Sequence, residues 1–204
     1  MDVIPLDRDV PETWTIGPAV QALRKGEIIV IPTDTIYALA CDPWDVKAVG
    51  ALYTAKGMDK SKRCAVLCRD QKSISTVSRA VGDGVFRFMK RHLPGPFTVL
   101  LHASFDLPRR ATGKRKTIGV RIPDNPVCES LTEDFGRPIL VTSVPGWQDG
   151  EEVDPVLTAQ RLFVRPSVVL DQGLQAAVPS TVIDFTTEPP ELIRQGKGTI
   201  ETFV

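Results

Sequence analysis

One short stretch, EIIVIPTDTIYALACD at residues 27–42, constrains the fold more than any other part of the chain. It opens with a β-branched run at residues 28–31, which is too short for a helix and typical of a strand buried on both faces. Pro32 ends this strand because proline has no N–H to donate. Three short polar side chains come next: Thr33, Asp34 and Thr35. Open α/β sheets bind ligands at the carboxyl ends of strands, so the stretch predicts either a ligand site, with Tyr37 as a candidate wall, or a plain polar turn.

Strand-like and helix-like segments alternate along the rest of the chain. Capping residues, helical apolar spacing and terminal glycines predict helices at residues 15–25, 45–57 and 125–136, and others that begin at Asp83 and Asp154. The helix from Asp83 is expected to bury Val85, Phe86 and Met89. Further strands are predicted at residues 64–69, 97–102, 117–122, 138–143, 167–171, 182–185 and 192–194. This order predicts a single α/β domain over residues 12–200, with a mixed, α+β-like sheet because the C-terminal third is rich in strands.

The composition limits the classes of function. Lys+Arg and Asp+Glu both number 25, so no global field attracts nucleic acid or membrane, and any anion site must be a local cluster. Four cysteines are too few for a secreted disulfide scaffold and indicate a reducing cytoplasm. Cys64 and Cys68 resemble a metal pair, but four residues of strand span about 13 Å, which is too far for one zinc ion. No metal site is therefore predicted.

The first ten residues lack the apolar core of a signal peptide, and no segment is long enough to span a membrane.

A basic run, PRRATGKRK at residues 108–116, stands directly before the predicted strand that carries Arg121. Most charge runs are solvated loops. An arginine inside a strand, however, usually needs a carboxylate or phosphate partner. Arg121 is therefore the residue for which a purely structural role is least expected.

Over residues 19–196 the chain resembles the YrdC-like family of threonylcarbamoyl-adenylate synthases, and six segments carry the resemblance. They are PTDTIYALACD (32–42), LYTAKG (52–57), PGPFTVLL (94–101), KTIGVRIPDNP (116–126), VTS (141–143) and PSTVID (179–184). Their number and order make the resemblance specific. Within the family the chain is most similar to the YciO branch, through CRD (68–70), LPRR (107–110) and KRKTIGVRIPDNP (114–126).

The resemblance implies the YrdC-like fold, a twisted mixed sheet with helices on one side and a large concave, basic cavity on the other. It also implies a nucleotidyltransferase that makes threonylcarbamoyl-AMP and pyrophosphate from threonine, bicarbonate and ATP, for the modification of adenosine 37 (t6A37) in tRNA. Adenylation of a carboxylate needs cations that hold the triphosphate, usually with Mg²⁺, and no side-chain nucleophile. The presence of only two histidines agrees with such chemistry and disfavours hydrolases.

The resemblance also assigns residues to the two substrates. Threonine would be held by Thr35, Arg121 and Thr181, with a bidentate bond from Arg121 to the carboxylate. ATP would lie along five residues, of which Lys56 and Ser143 would be catalytic: Lys56, Lys62, Thr117, Ser143 and Arg194. The alternative is that the hydroxyls merely satisfy local backbone and that Lys56 complements the dipole of its helix.

The chain departs from the synthase pattern at three positions. Met58 stands where the synthases have an arginine after the lysine, which removes a permanent charge. Pro145 stands where they have an asparagine after the serine, which removes a donor and an acceptor. Leu67 replaces a usual histidine. These departures imply reduced synthase activity.

Three functions therefore stay open. The first is a threonylcarbamoyl-AMP synthase, with protein partners from the tRNA-modification pathway and no membrane association. The second is a non-catalytic or weakly catalytic protein that binds nucleotide or double-stranded RNA, including tRNA, where the basic run could meet the backbone. The third is adenylation of another small amino acid, because Met58 and Leu67 alter the expected pocket. Aromatic residues make up only 6% of the chain, which disfavours a single-strand binder.

Overall fold

The computed structural model of the chain describes residues 1–7, 15–57, 64–112 and 116–200. Within these ranges the helices are α1 (Gly17–Arg24), α2 (Val46–Lys56), α3 (Gln71–Ile74), α4 (Asp83–His92), α5 (Arg109–Thr112), α6 (Pro126–Phe135) and α7 (Pro155–Gln160). The strands are β1 (Asp2–Pro5), β2 (Ile29–Ile31), β3 (Ala38–Cys41), β4 (Ala65–Leu67), β5 (Phe97–His102), β6 (Thr117–Arg121), β7 (Ile139–Ser143), β8 (Glu152–Val153), β9 (Val168–Asp171), β10 (Gln175–Ala176), β11 (Thr181–Asp184) and β12 (Glu191–Arg194).

A ten-stranded mixed sheet in the order β1-β9-β2-β3-β7-β4-β6-β5-β11-β12 forms the body of the protein. The pairs β1–β9, β9–β2, β4–β6 and β5–β11 are parallel, and the other neighbours are antiparallel. Strands β8 and β10 form a separate antiparallel pair. The predicted fold class, a single domain with a mixed sheet flanked by helices, is confirmed. Strand β1, which lies before the predicted boundary at residue 12, is part of the sheet.

Hydrophobic cores lie on both faces of the sheet. Side chains alternate between the faces of a strand, so neighbouring residues of β2 and β3 belong to different cores. One core joins Val30 and Leu39 to α2 and α4. The other joins Ile31 and Ala38 to α1 and α6. The expectation of helices on one side only is therefore wrong, because α1 and α6 cover part of the second face.

Helix ends follow local sequence chemistry closely. The Asp45 carboxylate caps α2 by accepting from the N–H groups of Lys47 and Ala48, and α2 ends at Gly57, where φ is 63°. The amide oxygen of Asn125 caps α6, as predicted. The Asp154 carboxylate caps α7 in the same way. Helix α4 is capped by Gly82 rather than Asp83, and it buries Phe88 and Met89 while Phe86 is 48% exposed.

Strand β1, strand β3 and the β8–β10 pair were not predicted from the sequence. Tyr37, a candidate cavity wall from the sequence, is not among the residues that line the cavity of the candidate site. Tyr37 is fully buried, donates its hydroxyl to the carbonyl of Gly173 and accepts from the N–H of Gln172. Tyr37 therefore holds the loop between β2 and β3 (the β2–β3 loop, residues 32–37) against the loop after β9.

No helix of the described residues is both long and apolar enough to cross a membrane. The same residues contain no cluster of three or more potential metal ligands from His, Cys, Asp and Glu. Cys64 and Cys68 are both buried free thiols.

Candidate functional site

A cavity of about 580 Å³ opens on the face of the sheet that carries α1 and α6. Ala38 and Val141 show this, because both belong to the second core and both line the cavity. Residues from both halves of the chain form the lining: Thr35, Ile36, Ala38, Lys56, Cys64, Ala65, Thr98, Leu100, Arg121, Val141, Thr142, Ser143, Trp147, Pro179, Ser180, Val182, Ile193 and Arg194. Three of these described residues are cationic and none is acidic. The cavity therefore favours an anionic ligand.

Arg121, at the end of β6, forms the most buried charged contact of the site. Its Nη2 atom lies 2.5 Å from Oδ1 of Asp34 and 2.9 Å from the hydroxyl of Thr35. The side chains of Arg121 and Asp34 are only 9% and 6% exposed. The second carboxylate oxygen of Asp34 accepts from the N–H of Asp124, at 3.2 Å. Arg121 is thus already paired with a carboxylate of the chain. Its Nη2 atom is used by Asp34 and Thr35, so a ligand would have to bind the other nitrogen atoms of the guanidinium.

The hydroxyl of Thr33 organises the β2–β3 loop. It donates to the carbonyl of Ile36, at 2.8 Å, and it accepts from the N–H groups of Thr35 and Ile36. The hydroxyls of Thr33 and Thr35 are 3.1 Å apart. A hydroxyl has one proton, so Thr35 donates to Thr33 and accepts from Arg121. The loop therefore holds Thr35 and Asp34 as one hydrogen-bonded unit.

Lys56, in the last turn of α2, lies at another part of the cavity. Its Nζ atom donates to the hydroxyls of Thr142, at 3.0 Å, and Ser143, at 2.7 Å, and also to the carbonyl of Ser143. These bonds join the end of α2 to the end of β7. Lys56 and Ser143, which the family resemblance assigns to ATP, are in direct contact.

Arg194 lies at the edge of the sheet, and its guanidinium turns inward. It donates from Nε and Nη2 to the carbonyl of Ser180, at 3.1 and 2.8 Å. Ser180 in turn lies 2.8 Å from the hydroxyl of Thr98. Burial, followed by the positive charge of Arg121, lowers the pKa of Arg194, although arginine stays protonated in proteins. The two guanidiniums repel each other, and an anion between them would relieve that repulsion.

The structure does not bring every predicted residue to the cavity. Thr181 does not line it: the side chain is fully buried, and its hydroxyl donates to the carbonyl of Gly198 and accepts from the N–H of Gly196. Thr117 also lies outside the lining; it is buried, and its hydroxyl has no hydrogen-bond partner among the described residues. Lys62 and Met58 lie outside the described residues. Thr35, Lys56, Arg121, Ser143 and Arg194 all line the cavity.

The basic run contributes no side chain to the described lining. Its first part forms the short helix α5 rather than a loop, and residues 113–115 lie outside the described structure. Leu67, the third departure, is fully buried in the second core and does not line the cavity.

Several residues of the candidate site received no role from the sequence. Thr98 and Ser180 line the cavity and lie inside the segments PGPFTVLL and PSTVID, but neither was given a role there, and Trp147 lies in no quoted segment. Asp34 stands inside the opening stretch, so its polar character was visible, but nothing in the sequence identifies Arg121 as its partner. Cys64 also lines the cavity, and burial raises the pKa of its thiol to about 11. This thiol is therefore a poor nucleophile at neutral pH.

Comparisons with known proteins identify the family of the chain. The model of the Sua5/YciO/YrdC family, described as "Telomere recombination", matches residues 21–196. The chain is 37% identical to the uncharacterized protein YciO of Escherichia coli K12, over 96% of each chain. The crystal structure of E. coli YciO superposes with a TM-score of 0.87 at 36% identity, and covers 100% of this chain and 98% of that chain.

A second relative carries a functional name. The chain is 29% identical to the threonylcarbamoyl-AMP synthase of Pyrococcus abyssi, over 96% of this chain and 58% of that protein. The structure of P. abyssi Sua5 complexed with L-threonine superposes with a TM-score of 0.87 at 28% identity, over 96% of this chain and 58% of that chain. The protein therefore belongs to the Sua5/YciO/YrdC family, with the YciO and Sua5 proteins as relatives.

Proposed function

We propose that the protein is a threonylcarbamoyl-AMP synthase of reduced activity, which joins threonine, bicarbonate and ATP and releases pyrophosphate. The observation that supports this most is the placement of Lys56, Arg121 and Arg194 around one cavity whose described lining has no carboxylate. Such a cavity is suited to a ligand that carries both a carboxylate and phosphates. The P. abyssi relative that binds L-threonine has the same fold, which supports an amino-acid substrate.

Different residues of the cavity would hold the two substrates. Arg121 and Thr35 would hold the threonine, while Arg194 and Lys56 would face the phosphates of ATP. Charge that develops at the α-phosphate would be stabilised by these fixed donors, which is the main way that proteins accelerate such transfers. Mg²⁺ would come with the ATP phosphates, because the described lining offers hydroxyls but no carboxylate for a resident ion. The product would serve t6A37 modification of tRNA.

Two substrate contacts that the family resemblance implies are left out of this proposal. A bidentate bond from Arg121 to threonine needs two adjacent N–H groups, one of which is on Nη2, but Nη2 already contacts Asp34 and Thr35. The proposal therefore uses a single Arg121 donor for the threonine carboxylate. Thr181 has no direct contact with substrate in the proposal, because its hydroxyl is bonded within the chain.

A non-catalytic nucleotide-binding protein is the second candidate. Met58 and Pro145 favour it, since both replace polar groups that the synthases direct at ATP. A cavity of this kind would still bind nucleotide through Lys56 and Arg194. Double-stranded RNA is a weaker form of this candidate, because the described part of the basic run lies outside the cavity.

Pyrophosphate release separates the two candidates. The native protein is incubated with ATP, Mg²⁺ and bicarbonate, with and without threonine, beside the Arg121→Gln variant. A synthase releases pyrophosphate only when threonine is present and Arg121 is intact. Binding of ATP without threonine-dependent release would favour the second candidate.

A further inference from the structure

The C-terminal segment, residues 195–200, is fastened to the sheet through Thr181. The Thr181 hydroxyl lies 2.5 Å from the carbonyl of Gly198 and 2.9 Å from the N–H of Gly196. Gln195 adds a bond from Nε2 to the carbonyl of Gly198, at 2.6 Å. The two glycines on either side of Lys197 are thus both held by one buried hydroxyl.

The segment lies so close to the sheet that only glycine fits at these two positions. A Cβ atom at Gly196 would come within 2.2 Å of the carbonyl oxygen of Pro179, and one at Gly198 within 2.5 Å of the Phe97 ring. Lys197 also donates its own N–H to the carbonyl of Pro179, at 2.8 Å. The backbone of Lys197 is therefore fixed on both sides.

The side chain of Lys197 reaches from this fixed backbone to the β2–β3 loop. Its Nζ atom lies 2.7 Å from the carbonyl oxygen of Asp34, 163 residues away in the chain. The carboxylate of the same Asp34 pairs with Arg121, which lines the cavity. A continuous set of contacts thus runs from Thr181 through the C-terminal segment and Lys197 to Asp34 and Arg121.

We infer that Lys197 is a positioning residue, which holds the β2–β3 loop so that Asp34 and Thr35 keep Arg121 in place for an anionic ligand. Thr181 acts in the same assembly by fixing the backbone of Lys197. The identity of the ligand, L-threonine, rests on the proposed function, whereas the contact between the two segments does not. This role explains why an exposed lysine is aimed at a backbone carbonyl beside a buried ion pair.

Hydrogen exchange tests the positioning role without any ligand. The N–H groups of Thr35 and Ile36 both donate to the Thr33 hydroxyl within the β2–β3 loop, so their exchange rates report the order of this loop. Lys197→Ala should accelerate both rates while the thermal melt stays close to that of the native protein. Lys197→Arg keeps a cationic donor and should restore slow exchange. Lys72→Ala, which removes an exposed lysine on α3 outside the cavity lining, is the matched control.

L-threonine affinity, measured by calorimetry, tests the consequence for the site. Lys197→Ala should weaken binding roughly three- to tenfold, the range expected for loss of one exposed hydrogen bond that positions the site. Lys72→Ala should leave affinity unchanged. Thr181→Val should weaken binding as well, and Lys197→Ala should add little in that background, because both changes release the same contact.

The outcomes separate this inference from the proposed function. Unchanged exchange at Thr35 and Ile36 in Lys197→Ala would overturn the positioning role, whatever the ligand. Fast exchange in Lys197→Ala, together with a native protein that binds no L-threonine, would support the positioning role and contradict the proposed function. Additive effects of the Thr181 and Lys197 changes would refute the idea that the two residues act through one contact.

Discussion

Arg121 and Asp34, 87 residues apart in the chain, form a buried ion pair beside the cavity, with 2.5 Å between Nη2 and Oδ1. The pair links the end of β6 to the β2–β3 loop. Because Thr35 accepts from the same Nη2 atom, the pair also fixes a hydroxyl that lines the cavity. The ion pair is thus a structural element of the fold and the base of the candidate site.

The first prediction concerns the stability that this pair provides. Arg121→Gln leaves the carboxylate of Asp34 buried without its charged partner, so the free energy of unfolding should fall by about 3–5 kcal/mol. The double variant with Asp34→Asn carries no unpaired charge and should regain part of the loss. Urea unfolding followed by circular dichroism measures both. A single variant as stable as the native protein would show that the pair is not needed for folding.

The second prediction concerns Arg194 as a phosphate contact. Arg194→Ala should weaken pyrophosphate binding roughly tenfold at low ionic strength, and the difference should shrink as salt screens the charges. The melting temperature should fall only slightly, because the strand is an exposed edge strand and the loss is limited to the bonds from Arg194 to the Ser180 carbonyl. Calorimetry at two salt concentrations measures this, with Arg87→Ala as a control for loss of an exposed arginine outside the cavity lining. Equal losses in both variants would exclude a specific role for Arg194.

The helices α1, α2, α4, α6 and α7 could be predicted from the sequence, since their signals are local, whereas the four-residue helices α3 and α5 were not. Asp45, Asn125 and Asp154 each cap a helix through bonds to N–H groups two and three residues ahead, so the capping residue and its helix are read together. Strand β3 could not be predicted in this way. Its four residues, Ala38–Cys41, include no β-branched residue, and pairing with β2 and β7 alone makes them a strand.

Part of the cavity lining could also be predicted, because some of its residues belong to local motifs at the ends of strands and helices. Motif residues at strand and helix ends, such as Lys56 and Ser143, lie together because the ends of α2 and β7 meet. Thr181 lies in an equally clear motif, but its hydroxyl is taken by residues 196 and 198, which fold back onto β11. A contact of this kind depends on the path of the chain after the motif, and the motif does not specify that path.

The third prediction concerns stability at alkaline pH. Burial raises the pKa of Cys64 to about 11 and those of Cys68 and Cys128 to about 12, from an ordinary value of 9.0. The unfolded chain therefore loses these protons at a lower pH than the native protein, so stability is full below pH 9 and falls between about pH 9 and 12.

Thermal melts across this range measure the effect. Cys68→Ala should show a shallower decline than the native protein, because one of the shifted thiols is gone. A melting temperature that is constant from pH 8 to pH 11 would contradict burial of these thiols.

The fourth prediction concerns the departures from the synthase pattern. Met58→Arg should raise product formation, because one preorganised charged donor contributes roughly 3 kcal/mol, or about a hundredfold or more in rate. Pro145→Asn should help less alone, since removal of proline also frees the backbone after Val144. The double variant should exceed both. A folded double variant no faster than the native protein would show that these two positions do not limit the reaction.

The central claim is that this cavity makes threonylcarbamoyl-AMP, and mass spectrometry of the product tests it most directly. The native protein is incubated with ATP, Mg²⁺, L-threonine and either ordinary or ¹³C-labelled bicarbonate, and the nucleotides are separated. We expect a nucleotide with the mass of threonylcarbamoyl-AMP that gains one mass unit with the label, and that is lost without threonine or in Arg121→Gln. A native protein that binds ATP and L-threonine but yields no labelled nucleotide would contradict the claim.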